Sequence, residues 1–156
     1  MTSRRRFLVL AGGAAAAGVA RAQLPPKVAA QRAHGLDEAL RKVTGGAAVR
    51  EGKVALDVPP LIDNGNSVPI TVRVDSPMTS AEHVRSIHLF TERNPQPNII
   101  AAHLGPRSGR ASLTTRARIA NSGRVIALAQ LSDGSFWSHE VEVLVTVSAC
   151  LEDGFI

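Results

Sequence analysis

Cysteine is almost missing from this chain: Cys150 is the sole one in 156 residues. An internal disulfide framework needs a second, and a multi-cysteine metal site needs more, so both are excluded. Tyrosine is missing altogether, and aromatics make up 3% of the chain. Phe7, Phe90, Phe136, Trp137 and Phe155 form no series on which successive bases stack. Acid is missing from the first 22 residues, which hold Arg4, Arg5, Arg6 and Arg21. Those four carry most of the formal charge of +5, because the other 14 of the 18 Lys and Arg stand against 13 Asp and Glu. The positive balance therefore belongs to the front end and not to a basic surface, and nucleic-acid binding is excluded as the leading function. Past that front end no apolar run approaches the ~18 residues of a membrane span, so stable membrane insertion is not expected.

The front end reads as an address. Ser3-Arg4-Arg5-Arg6-Phe7-Leu8-Val9 precedes a small-residue apolar run from Leu10 to Ala20. Ala20-Arg21-Ala22 then has the small-x-small form of a signal peptidase site. The paired arginines before Phe7-Leu8 are similar to the twin-arginine export signal, which carries folded proteins across the bacterial inner membrane, although Val9 stands where that signal usually has lysine. The expectation is a twin-arginine signal peptide over 1–22, a mature chain from Gln23, and a periplasmic location.

In the mature chain, Pro25-Pro26 opens a helical stretch in which Leu36, Leu40 and Val43 recur at helix spacing. Asp37 with Arg41, and Glu38 with Lys42, are i,i+4 pairs on its outer side, and Gly45-Gly46 ends it. The period then becomes two. Val68, Ile70, Val72 and Val74 face one way while Thr71, Arg73 and Asp75 face the other. Ala111, Leu113 and Ile119 alternate against Ser112, Thr114, Arg116 and Arg118. Val141, Val143, Val145 and Val147 share one face of the last strand. Residues 125–131 are apolar on both sides, which suits a central strand and offers a second side to a partner. Turn signals such as Pro59-Pro60, Asn64-Gly65-Asn66, Ser122-Gly123 and Asp133-Gly134 leave strands near 49–57, 68–75, 84–92, 98–104, 110–119, 124–132 and 135–148. The expected fold is all-β: an immunoglobulin-like antiparallel β-sandwich with a short N-terminal helix, one domain over 23–148, and a C-terminal arm over 149–156.

Patterns of hydrolytic and metal chemistry are not found. His83 and His88 lie five apart and point to opposite faces if both are extended, and His34, His103 and His139 are isolated. Asp133-Gly134-Ser135 reads as a turn, and Gly12-Gly13 and Gly45-Gly46 lack a phosphate-loop context. No catalytic residue, metal site or cofactor is expected. Arg107, Arg110, Arg116 and Arg118 read as a basic strip on one sheet face, or simply as a solvated strand face.

Cys150 follows the last strand directly. If the register runs on, even positions point away from the valines, which sets Cys150 on the non-core side. Free cysteines are most often buried and inert. Near a chain end, where tethering is weak, a thiol on a short arm instead suits covalent carriage of a small group. The residues by themselves leave both readings open.

Several blocks resemble the SoxY family of sulfur-oxidation carrier proteins. They are Leu61-Ile62-Asp63-Asn64-Gly65-Asn66-Ser67-Val68-Pro69-Ile70, Val74-Asp75-Ser76-Pro77-Met78, His83-Val84-Arg85-Ser86-Ile87-His88-Leu89-Phe90, Asn94-Pro95-Gln96-Pro97, Ser108-Gly109-Arg110-Ala111 and Leu131-Ser132-Asp133-Gly134-Ser135. They span nearly the whole mature chain in family order. The resemblance implies an immunoglobulin-like sandwich, a heterodimer with a SoxZ-like protein, and a C-terminal cysteine, here Cys150, that holds thiosulfate-derived sulfur while partner enzymes process it. It implies no turnover by the chain alone. The arm departs from the family's Gly-Gly-Cys-Gly-Gly, for it reads Ser148-Ala149-Cys150-Leu151-Glu152-Asp153-Gly154-Phe155-Ile156. It is similar to a SoxY-related subgroup with an Ala-Ala-Cys-Ile-Glu arm. Leu151 adds bulk where glycine threads a narrow channel, and Glu152 and Asp153 oppose ionisation of the neighbouring thiol. The rival expectation is a non-catalytic β-sandwich binding or scaffold module that has lost thiosulfate carriage.

Overall fold

The computed structural model describes residues 26–147, and their side chains from Gly35 onward. The expected signal peptide and the cysteine arm lie outside the described residues. Helix α1 (Pro26–Thr44) starts on a proline, whose missing N–H is no loss in a first turn. It ends where Gly45 and Gly46 take φ of 63° and 85°, with the Gly45 N–H donating to the Arg41 carbonyl at 2.8 Å. Arg41 also turns its Nε onto the Asp37 carbonyl at 3.3 Å.

Nine strands follow among the described residues: β1 (Val49–Glu51), β2 (Val54–Asp57), β3 (Leu61–Asn64), β4 (Val68–Val74), β5 (Val84–Thr91), β6 (Asn98–His103), β7 (Ser112–Ala117), β8 (Gly123–Leu131) and β9 (Phe136–Val147). The larger sheet runs β1-β9-β8-β5-β6, with β3 also on β9, and the smaller runs β2-β4-β7. Period-two alternation builds the core between them. In β4, Val68, Ile70, Val72 and Val74 are buried while Pro69 and Arg73 are exposed. Ile87, Leu89, Val125 and Val143 meet them from the larger sheet. This is the expected β-sandwich with one N-terminal helix.

The two apolar sides of β8 have separate destinations. Val125, Ala127 and Ala129 face the smaller sheet, whereas Ile126 and Leu128 pack with Phe90, Phe136 and Leu36 of α1. Ala39, Leu40 and Val43 of the helix close over that second cluster. The side that the sequence offers to a partner is thus filled from within the chain.

Four details differ from the sequence reading. The single strand near 49–57 is broken at Gly52 and Lys53, whose φ of 108° and 45° reverse the chain and pass it from the larger sheet to the smaller. β3 was not anticipated, because four residues with only Ile62 buried carry too little alternation to read. β1 and β3 both pair with β9 in parallel, along its first and last residues respectively, while the other pairings are antiparallel. Finally, Val143 and Val145 are buried, but Val147 is 59% exposed, so the core face of β9 stops one step short of its expected end.

Candidate functional site

Cys150 itself lies outside the described residues, and what the structure describes is the strand from which it hangs. The end of β9 is held on both sides. On one side Val145 and Val147 are in register with Ile62 and Asn64 of β3, and the Thr146 hydroxyl donates to the Ile62 and Asp63 carbonyls at 3.3 and 3.1 Å. On the other side β8 begins only at Gly123, opposite Val143. Past that point the Ser122 hydroxyl replaces a backbone acceptor, taking the Val145 N–H at 2.8 Å. The ladder continues sideways, since the Val147 carbonyl accepts the Gly65 N–H at 3.2 Å and the Gly65 carbonyl accepts the Ile119 N–H at 2.8 Å. The Asn64-Gly65-Asn66 turn makes this possible, with the Asn64 Oδ1 accepting the Asn66 N–H at 2.9 Å.

From Val147 to Cys150 are three residue steps, which lets the thiol stand about 10 Å beyond a clamped strand end. Two grooves flank that end. One, of about 380 Å³, is walled by Glu92, Arg93, Glu142 and Leu144. The other, of about 500 Å³, lies between β6 and the end of β7, with Asn98, Ile99 and Ile100 on one wall and Arg116 and Arg118 on the other. The four arginines expected as one strip therefore separate. Arg107 and Arg110 sit before β7, and Arg116 and Arg118 at its far end. Arg116 Nη1 donates to the Ser67 carbonyl at 3.2 Å.

The histidines serve the sandwich. His139 Nδ1 accepts the Leu56 N–H at 2.9 Å, which ties the two sheets together. His88 is buried, shares a hydrogen bond with the Ser86 hydroxyl at 3.2 Å, and leaves its Nδ1 without a partner. Burial, and then the charge of His103, hold its pKa below the usual histidine value. His103, which looks isolated in sequence, is brought there by the β5–β6 register and meets His88 edge-on at 6.3 Å. The signal for that contact is the antiparallel pairing of Ser86 with His103, which no sequence spacing displays. His83 stands half-buried ahead of β5, and the side chain of His34 is outside the described set. Among the described residues no three His, Cys, Asp or Glu side chains converge as metal ligands. Nor is any described helix long and apolar enough to cross a membrane.

The family model of the sulfur oxidation protein SoxY matches residues 40–150. The chain belongs to the SoxY family. The match takes in both sheets and ends on Cys150. Among solved structures, the sulfur carrier protein SoxY from Chlorobium limicola f thiosulfatophilum is 24% identical, with a TM-score of 0.63 over 76% of this chain and 98% of that one. A putative superoxide reductase from Thermotoga maritima is 20% identical, with a TM-score of 0.52 over 67% and 90% of the two chains. A superoxide reductase (neelaredoxin) from Ignicoccus hospitalis is 16% identical, with a TM-score of 0.52 over 60% and 80%. At these identities the likeness is one of fold, and a fold shared by a carrier and a reductase does not choose between them. No curated protein sequence matches this one. The choice rests on the SoxY family, whose sulfur-oxidation carrier role agrees with the expectation of a protein that is not an enzyme by itself.

Proposed function

We propose that this protein is a periplasmic carrier that holds a sulfur-containing intermediate covalently on Cys150 and presents it to the enzymes of a thiosulfate or related sulfur oxidation. The observation that carries the reading is the family match running through the sandwich to the chain's sole cysteine, three residues past the end of β9. A clamped root and a short arm suit the task, because the cargo reaches a partner's pocket while the sandwich stays outside. Attachment of thiosulfate through its outer sulfur would join two sulfurs, releasing two electrons and one proton, and the acceptor of those electrons is a partner enzyme's. Export by the twin-arginine route follows from Arg4, Arg5, Phe7 and Leu8, and the stable partner is a SoxZ-like protein. Its docking surface is not the second side of β8, which α1 covers.

The Ala149-Cys150-Leu151-Glu152 core is similar to the arm of the Ala-Ala-Cys-Ile-Glu subgroup, and Glu152 and Asp153 make it a poorer host for an anionic cargo than a glycine arm. The second reading, a scaffold module without carriage, draws on that departure. Intact mass spectrometry of the protein from its native host separates the two. A carrier shows a sulfur adduct on Cys150 that Cys150→Ser abolishes while the fold is kept. An unmodified thiol that labels only after denaturation leaves the scaffold module standing.

A further inference from the structure

We propose that the groove between β6 and the end of β7 is the resting dock of this chain's own C-terminal segment, with Glu152 and Asp153 seated against Arg116 and Arg118. The inference does not depend on what Cys150 carries. It starts from where β9 ends. The carbonyl of Val147 and that of Gly65 each accept one rung of a ladder that finishes at Ile119. Two strand spacings, about 10 Å, therefore separate Val147 from the residue next to Arg118. Five residue steps lead from Val147 to Glu152, a reach of about 17 Å, which is ample.

Charge then decides between the two grooves beside that root. The smaller one contains Glu92 and Glu142, which repel an acidic segment, with Arg93 as its cation. The larger one is lined by Arg116 and Arg118 and by no carboxylate. Its opposite wall has the matching character for Leu151, because Ile99 and Ile100 are only partly covered by the core. β6 is also the sheet's outer strand and carries no Asp, Glu, Lys or Arg, so its edge lacks the usual guards that keep an extended segment away. Cys150, two residues before Glu152, is then held at the mouth of the groove.

The test uses a nitroxide attached to Cys150 of the full mature chain, read by the broadening of backbone amide signals. Docking broadens Ile99, Ile100 and Ala117 more than Arg93, Gly123 and Leu144, which line the smaller groove. Two exposed charge pairs weight the docked position by about fivefold. That preference disappears in Glu152→Lys with Asp153→Lys, which leaves the sandwich sequence untouched, and in Arg116→Glu with Arg118→Glu. It returns when all four changes are combined, and it weakens in high salt. Equal broadening at both grooves overturns the proposal, as does a preference that neither charge reversal alters. Broadening that grows with protein concentration assigns the groove to a second copy's segment and overturns it equally.

Discussion

Replacing Ser122 by alanine isolates the contact that holds the last residues of β9 on the β8 side. Its hydroxyl takes the Val145 N–H at 2.8 Å, at a point where β8 has not yet begun. Alanine removes that hydrogen bond and the hydroxyl's longer one to the Val145 carbonyl at 3.4 Å, together worth about 1 kcal/mol net, and strands a part-buried N–H, which adds a desolvation cost of about 1 kcal/mol. The sum, about 1–2 kcal/mol, lowers the melting temperature of a domain this size by about 4–8 °C. In urea the midpoint falls by about 1 M at a slope of ~1.5 kcal/mol/M, with the slope unchanged. Trp137 is the chain's one tryptophan and reports the transition by fluorescence. Ser122→Thr keeps the hydroxyl and most of the stability. Amide exchange gives the local readout, because the Val145 N–H loses protection in Ser122→Ala more than the core amides of β4 do. An unchanged midpoint together with unchanged Val145 exchange would refute the view that this hydroxyl extends the sheet.

Three further outcomes follow from the same geometry. His88 is buried with its pKa held down by burial and by His103, so the unfolded chain takes up a proton first as pH falls. Stability is complete above the ordinary histidine value of 6.5 and declines below it by up to about 1.4 kcal/mol per pH unit until the folded value is reached; denaturation midpoints between pH 7 and 5 show this slope, and His88→Gln flattens it. Leu128→Ala empties a fully buried site between β8 and α1 and costs about 2–5 kcal/mol, whereas Leu128→Met costs under ~1.5 kcal/mol; equal losses from both in urea unfolding contradict the packing described. Asp133 accepts the Ser135 N–H and hydroxyl, whose hydrogen bonds hold its pKa below the usual aspartate value, and the Ser135 oxygen in turn accepts the Trp137 Nε1–H at 3.0 Å. Trp137 emission therefore stays constant as pH falls until it passes below 3.8, and Ser135→Ala, which removes the hydroxyl that links the two residues, abolishes the change.

The alternating valines of β4 and the helix triad Leu36, Leu40 and Val43 were legible because one buried face imposes one period. The two-sided run of β8 was legible as central, but not what covered it. Apolar periodicity records that a face is buried and is silent about whether helix, sheet or partner does the burying. β1 and β3 were merged or missed because three- and four-residue strands are held by backbone pairing to β9, and backbone pairing leaves no mark on side-chain choice. The same holds for Ser122, which reads as a turn residue beside Gly123, and for the meeting of His88 with His103. Val147 was misplaced because alternation continues in the sequence beyond the point where the opposing sheet ends. Arg116 and Arg118 were visible as cations, but their separation from Arg107 and Arg110 depends on the length of β7 between them.

The parallel pairing of β9 with both β1 and β3 bears on the order in which the molecule is made. β9 leaves the ribosome after every strand it pairs with, and β1 and β3 have no other sheet neighbour. Until it arrives, the larger sheet has only β8, β5 and β6, and Ile62 and the other residues it would cover face water. Contacts so distant in sequence form late and slowly, and the unfinished sheet exposes strand edges to other chains meanwhile. Assembly of the sandwich thus waits for its last strand, the same strand that leads to the arm. A chain that has acquired its arm root is, by that fact, a chain that has finished folding.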